Sequence, residues 1–300
     1  TFAALSFYNP DTTPWIIGAV EAVLVGYCLL GGGKRVIKAT STLVPLMGVI
    51  YISVAFILTI MHINLVPGVV GRIFAEAFDF TAIFGGFAGS CMMFGIKRGL
   101  YSNEAGVGSA PNAAAAADVS HPVKQGLVQM LSVFIDTLLI CTATAFMCLS
   151  SGIEPTKELA GAPYVQAALA ASMGDYAKLF ITVSMVLFAF TTLLGNLYYV
   201  DNAFAYVLKH VPGKTFTLCY RILACVLIFI GAGSSMGTMW DLADVTMGFM
   251  AIINLPVICI LGGPALRALD DYTDQRDAGK NPEFKASKIG LTQKLDYWQD

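Results

Sequence analysis

"FTAIFGGFAGSCMMFGIKRGLYSNEAGVGSAP" (Phe80–Pro111) joins two stretches that differ sharply in character. Residues 80–96 carry no charge, and then Lys97, Arg98, Asn103 and Glu104 crowd together. The apolar part is interrupted by Gly85, Gly86 and Gly89. Glycine inside a helix costs roughly 1 kcal/mol relative to alanine, so this grouping favours unwinding. An unwound stretch leaves half-helix ends, whose free N–H groups suit an anion and whose free C=O groups suit a cation. Gly85 and Gly89 also form G-x-x-x-G, which brings membrane helices close together. Both readings stand on this segment alone.

The surroundings decide the class. The chain has 300 residues, of which 56% are hydrophobic and only 13% charged. Its mean hydropathy is +0.69. An ordinary soluble domain carries about 25% charged residues. Apolar segments lie near 15–31, 43–63, 80–96, 125–149, 177–200, 217–237 and 245–266. Each is close to the ~20 residues needed to cross a ~30 Å hydrocarbon core. Backbone groups in lipid must pair internally, so helices are the default. The reading is an all-α polytopic membrane protein with seven spans, a transmembrane domain over 1–266 and a polar tail over 267–300, read as a solvated extension.

A net charge of −2 gives no reason to expect a nucleic-acid partner. His62, His121 and His210 are far apart, and none of the seven cysteines sits at C-x-x-C spacing. The cysteines read as small apolar fillers rather than a redox or metal site. The chain opens on "TFAALSFYNP", with neither an initiator Met nor a signal-peptide pattern, and reads as lacking its N-terminal part. All but Arg72, Lys157 and Lys178 of the 18 basic residues fall on one side of the alternating spans. That side is cytoplasmic by the positive-inside rule, which puts the C-terminus and the loop after residue 96 inside.

Few polar groups interrupt the spans. Glu21 and Asp136 lie within them, where a carboxylate costs about 2.5–3.5 kcal/mol on insertion scales and faces a partner or a water path. Either could carry a proton or accept hydrogen bonds between helices, and Thr137, Thr142 and Thr144 offer Asp136 nearby hydroxyls. Asp241 and Asp244 sit at the outer start of the last span, where they suit a helix N-terminus. Thr191 and Thr192 are adjacent hydroxyls in an uncharged helix. They can serve a hard monovalent cation or bond back to their own helix. "GSSMG" (233–237) matches a nucleophile elbow but lacks the strand–turn–helix setting. No paired acids or phosphate loop appear, so nothing favours an enzyme. Pro163 opens a short helix in the outer segment between spans four and five, either a vestibule cover or a surface helix.

"GIKRGLYSNEAGVGSAP" (95–111) resembles the hallmark segment of the alanine/glycine:cation symporter family, the sodium:alanine symporters of bacteria and archaea. "GGFAG" (85–89), "FIDTLLICTATA" (134–145), "WDLADVTMGFMAIINLP" (240–256) and "PALRALDDYTDQRDAGKNPEF" follow the family in the same order. Tyr101, commonly Phe, and "AIINLPVI" depart from it. The resemblance implies a leucine-transporter-like fold of two inverted repeats, with the seven spans here standing for helices 4–10. The span at 80–96 is then the broken sixth helix. Gly85, Gly86, Phe87, Ala88 and Gly89 would line the substrate pocket, with Phe87 limiting its size. Thr191 and Thr192 match a sodium-binding hydroxyl pair, and Lys97, Arg98, Asn103 and Glu104 an inner gate in which Glu104 meets a basic residue.

The implied activity is sodium-coupled symport of a small neutral amino acid, alanine or glycine, across the bacterial cytoplasmic membrane by alternating access. The alternative is proton coupling through Glu21 or Asp136. The partners are the amino acid, a sodium ion and the lipid bilayer, with no cofactor and no metal besides sodium. The family's first helix, which supplies the other half of the site, is not in this sequence.

Overall fold

A computed structural model describes residues 2–5, 7–77, 86–104, 106–156, 159–291, 295, 297 and 298. Among them the long elements are helices: α1 (Thr13–Leu30), α2 (Gly33–Met61), α3 (Val66–Ala77), α4 (Gly86–Asn103) and α5 (Ser109–Ala114). They continue with α6 (Pro122–Phe134), a π-helical segment (Ile135–Cys141), α7 (Thr142–Leu149), α8 (Ala162–Met173), α9 (Tyr176–Leu208), α10 (Lys214–Ala232) and α11 (Met236–Asp277). Six helical stretches are long and apolar enough to cross a membrane: α1, α2, Pro122–Leu149, α9, α10 and α11. These are the first, second, fourth, fifth, sixth and seventh of the expected spans. The third falls partly outside the described residues, and its remainder opens α4.

The side chains on these helices invert the soluble pattern. Ile252 and Ile253 are 70% exposed and Ile260 75%. A water-facing helix would not carry such a surface; a lipid-facing one does. Lipid tails are as apolar as leucine, so close packing and polar ties hold the helices together rather than the hydrophobic effect.

The chain forms two compact units, Thr1–Ser90 with Leu139–Met239, and Cys91–Leu138 with Trp240–Asp300. In the first, α1 packs along α10, with Trp15 and Phe229 5.1 Å apart. Arg221 at the start of α10 donates from Nη1 to the Leu29 carbonyl at 2.6 Å and from Nη2 to Asp201 at 2.9 Å. It thereby adds a second donor to a carbonyl at the end of α1, which also accepts from the Gly32 N–H at 2.9 Å, and ties α1 to α9. A core of Tyr51, Leu58, Met147, Leu169 and Ile181 joins α2, α7, α8 and α9. The Tyr51 hydroxyl lies 2.9 Å from Thr144 Oγ1. The outer helix α8 is therefore no plain surface helix. Its buried Gln166 donates to the Lys178 carbonyl at 2.9 Å, tying α8 to α9.

The second unit holds the charge cluster. Arg98 on α4 donates from Nη1 to Asp244 Oδ1 at 3.0 Å and from Nη2 to Oδ2 at 3.4 Å. Lys97 Nζ is 3.5 Å from Asp244 Oδ2. The Arg98 guanidinium stands 4.3 Å from the Trp240 ring and 5.3 Å from that of Tyr101. A fork of N–H donors between a carboxylate and an aromatic face satisfies both of arginine's binding modes. This corrects the expected topology. Lys97 and Arg98 cannot stand at the inner edge, and Asp244 at the outer, when they touch across a ~30 Å core.

The tail is not a free extension. Ala268, Phe284, Ala286 and Ile289 form a buried cluster, and Val123 of α6 packs against it. The Phe284 N–H donates to the Ser120 carbonyl at 3.0 Å, and Trp298 Nε1 to that of Val119 at 3.2 Å. His121 is the hub and is fully buried. Its Nδ1 accepts from the Val123 N–H at 3.3 Å, which caps α6 and leaves the proton on Nε2. Nε2 lies 3.4 Å from Asp271 Oδ2, while Tyr272 and Phe284 close over the ring. The cysteine-poor, charge-rich sequence of the tail conceals this packing, because its apolar residues are too widely spaced to show a period.

Two outcomes follow from these contacts. Asp244→Ala removes the partner of two basic side chains, so unfolding in detergent should lose about 1–3 kcal/mol, less than a fully buried pair because Arg98 is partly exposed; an unchanged melting temperature would count against the cluster. Burial, opposed by Asp271 and helped by Lys124 and Lys288, holds the His121 imidazole below its ordinary 6.5. The docked tail then binds fewer protons than a released one between that lowered value and 6.5. Docking is at full strength above pH 6.5 and weakens as pH falls below it. Protease cleavage of the tail should accelerate on acidification, and a His121→Gln variant should lose that dependence.

Candidate functional site

The second unit contains a break in helical backbone. α4 ends at Asn103, and Glu104, Gly106 and Gly108 take left-handed φ of 53°, 89° and 107°. The Asn254 amide of α11 donates to the Gly106 carbonyl at 3.1 Å. A Cβ on Gly106 would come within 2.9 Å of the Leu255 side chain, and one on Gly108 within 3.1 Å of Asn254. Positive φ and close approach both require glycine here. Asn254 and Leu255 lie halfway along the charge-free stretch 245–266 of α11. The loop thus passes at mid-depth of that helix rather than on the cytoplasmic surface. Irregular backbone is tolerated at such depth only where protein covers it, as Asn254 and Leu255 do here.

The end of α4 also meets the helix Pro122–Leu149. Ser102 Oγ donates to Asp136 Oδ2 at 2.6 Å, and Asn103 Nδ2 to Thr137 Oγ1 at 3.0 Å. Asp136 and Thr137 open the π-helical segment, a wider coil found often at functional positions. Asp136 is central in its span, so its main hydroxyl partner comes from α4 and not from the threonines on its own helix.

Next to the break lies a cavity of about 150 Å³, lined by Lys97, Leu100, Tyr101, Val107, Asp244, Met247, Gly248 and Ala251. It sets an ammonium and a carboxylate beside an apolar wall. A larger cavity, about 820 Å³, lies between α5, the start of α6 and the aromatic tail residues Tyr297 and Trp298. Asp118 is the one charged residue in that lining, which offers no cationic group to a carboxylate. The smaller cavity is the chemically provided one.

The expected site residues fare differently. Gly85 lies outside the described residues. Gly86, Phe87, Ala88 and Gly89 are helical and form the first turn of α4, so among described residues the break falls at 104 and 106–108. Lys97 and Arg98 do converge, on Asp244. Asn103 bonds Thr137, and Glu104 takes a hydrogen bond from Ser109 Oγ, not from a basic residue. Thr191 is buried and donates to the Leu187 and Phe188 carbonyls of its own helix at 3.0 and 3.1 Å, while Thr192 is exposed. The two hydroxyls are not brought onto one point. Glu21 Oε2 is buried with no hydrogen-bond partner among the described residues. Tyr101, Gly248 and Asn254 were missed from sequence; only the spacing of Gly106 and Gly108 hinted that something must lie against them.

Residues 3–286 match the sodium:alanine symporter family. The chain is 42% identical over 285 residues to the amino-acid carrier protein AlsT of Bacillus subtilis, covering 95% of this chain and 60% of that one. It is 40% identical over 296 residues to the probable sodium/glutamine symporter GlnT of the same organism, covering 98% of this chain and 61% of that one. It is 37% identical over 310 residues to a sodium/proton-dependent alanine carrier protein of Bacillus sp. PS3, covering 98% and 69%. The chain thus spans about three fifths of the length of the first two relatives. With a family match along nearly its whole length, this chain belongs to the sodium:alanine symporters, which are transporters and not enzymes.

Proposed function

We propose that the chain carries out cation-coupled symport of a small neutral amino acid, alanine or glycine, across a bacterial cytoplasmic membrane by alternating access. The observation that carries this reading is the 150 Å³ cavity beside the helix break. A zwitterion presents one carboxylate and one ammonium, and Lys97 and Asp244 present their complements. Leu100, Val107, Met247 and Ala251 leave room for a short apolar side chain and give a long polar one no partner. Sodium fits the names of the family and of two of the relatives. The fold proposed is the leucine-transporter-like one, with α4 as part of its interrupted sixth helix and Gly86 and Gly89 in its first turn. Thr191 and Thr192 on α9 are the sodium candidates there; the Thr191 hydroxyl donates to its own helix and keeps lone pairs for an ion. The gate consists of Lys97, Arg98, Asn103 and Glu104, working through Asp244, Thr137 and Ser109.

One observation favours a second reading, proton coupling. The buried, unpartnered oxygen of Glu21 is stabilised by holding a proton, and one relative is called sodium/proton-dependent. Asp136, the other acid considered, has Ser102 as a donor.

Uptake of labelled alanine by vesicles containing the full-length protein decides between them. An inward sodium gradient should drive accumulation, with unlabelled glycine competing and glutamine not. Stimulation by a pH gradient alone, abolished in Glu21→Gln, would replace sodium by the proton. A Cβ on Gly248 meets nothing within 4 Å, so Gly248→Val should fold normally yet raise the alanine KM roughly tenfold by filling the cavity. Unchanged kinetics in that variant would move the substrate elsewhere.

A further inference from the structure

We propose that the trough between α1 and α10 binds an anionic phospholipid, one acyl chain lying in the trough and the phosphate meeting Arg35 and Lys214 at its basic end. The inference needs only that these two helices cross a bilayer, and it goes beyond the substrate reading. It starts from how the helices meet. Near one end Trp15 and Phe229 are 5.1 Å apart, and a Cβ on Gly18 would come within 2.5 Å of Ala232 Cβ. At the other end Arg221 reaches the Leu29 carbonyl at 2.6 Å. Between these contacts a cavity of about 440 Å³ opens along the pair. Ala19, Ala22 and Gly26 of α1 form one wall, and Ile222, Cys225 and Phe229 of α10 the other. Side chains as small as those on α1 leave the gap unfilled. From Ala19 to Leu30 the trough runs about 16 Å along α1. That is half of a ~30 Å hydrocarbon core, the depth of one leaflet.

The lining selects the chain and the basic end selects the headgroup. Arg221 is the one charged residue in the lining, and Asp201 neutralises it at 2.9 Å. The trough ends at Leu30, the last residue of α1. Gly32, at a φ of 76°, turns the chain there, and Arg35 folds back over the helix end. Its Nη1 donates to the Tyr27 carbonyl at 2.9 Å, with the guanidinium 4.5 Å from the Tyr27 ring. A carbonyl and an aromatic face orient a guanidinium without cancelling its charge. Lys214 opens α10 one turn before Leu218 of the lining, on the same face. Neither Arg35 nor Lys214 has an acidic partner among the described residues. Two uncompensated cations at the mouth of an apolar trough complement a phosphodiester whose chain runs down it. A choline headgroup brings a cation of its own to the same place and loses that gain. The bound lipid joins α2, through Arg35, to α10, through Lys214, across the end of α1.

Thermal unfolding of the purified full-length protein in detergent, titrated with dioleoyl phosphatidylglycerol or dioleoyl phosphatidylcholine, tests this directly. Wild type should be stabilised by the first at a midpoint roughly tenfold below that of the second. Glycerol 3-phosphate, which has the phosphate without the chains, should give no shift; a shift equal to the lipid's would mean a phosphate site and overturns the proposal. Arg35→Gln/Lys214→Gln should raise the phosphatidylglycerol midpoint roughly tenfold, and Lys280→Gln/Lys285→Gln, at two exposed tail lysines, should leave it in place. Equal losses in both pairs would be the general attraction of a basic surface to acidic lipid, which overturns the site. If the first pair does not fold, Lys214→Gln alone should raise the midpoint about threefold, and an unchanged midpoint overturns the proposal equally. Ala22→Leu, which fills the trough, should also raise it; an unchanged midpoint takes the acyl chain out of the trough and the proposal with it. Insensitivity of wild type to both lipids, as when the remainder of the full-length chain covers the trough, overturns it too. So does a dimer that Ala22→Leu converts to a monomer, since the trough would then seat a second copy. Alanine uptake enters none of these readouts, so failure of the transport reading leaves the lipid site standing.

Discussion

Backbone without helical hydrogen bonds at the depth of Asn254 is the constraint on which the second unit depends. In hydrocarbon each unpaired N–H or C=O costs several kcal/mol, so a break is stable only inside a protein wrapping. Asn254 supplies the donor for Gly106, and Leu255 and Asn254 press so near that only glycine fits at 106 and 108. Met247, Gly248 and Ala251, one to two turns earlier on α11, then line the cavity with Val107. The break and the cavity are two consequences of one packing of a loop on a helix.

Charge follows the same logic. Asp244 is held by Arg98 and Lys97, Asp136 by Ser102, and Asp201 by Arg221. Each acid so placed ties one helix to another, since in lipid a polar tie has no competing water. At Asp244 two basic groups meet one carboxylate, and Trp240 and Tyr101 hold the guanidinium in place. Glu21, with a buried oxygen that nothing satisfies among the described residues, is the exception.

At the other end of α11 the helix continues past its apolar part into a small water-side cluster. A fully buried neutral imidazole beside Asp271 makes that cluster sensitive to acid, and Lys288 and Lys124 oppose protonation further. α11 thus carries the cavity wall, the clamp on the break and the tail's docking face on one continuous rod of 42 residues.

Chain-wide hydrophobicity and the spacing of charge-free runs were enough to read an all-α membrane protein, because a bilayer demands ~20 apolar residues per crossing whatever the packing. "GIKRGLYSNEAGVGSAP" (95–111), with the segments that follow the family in the same order, was enough to place the family. The sequence could not show the depth of that loop. Positive-inside counting put Lys97 and Arg98 at the inner surface, but it weighs charges without their partners, and Asp244 lies 146 positions away. Nor could local pattern tell that Asp136 would be served by Ser102 rather than by nearby threonines, that Thr191 would bond its own helix, or that a polar tail would bury His121. Periodicity reports which face of a helix is apolar; which distant residue completes a charge, a carbonyl or a cavity wall is decided only when the helices are packed.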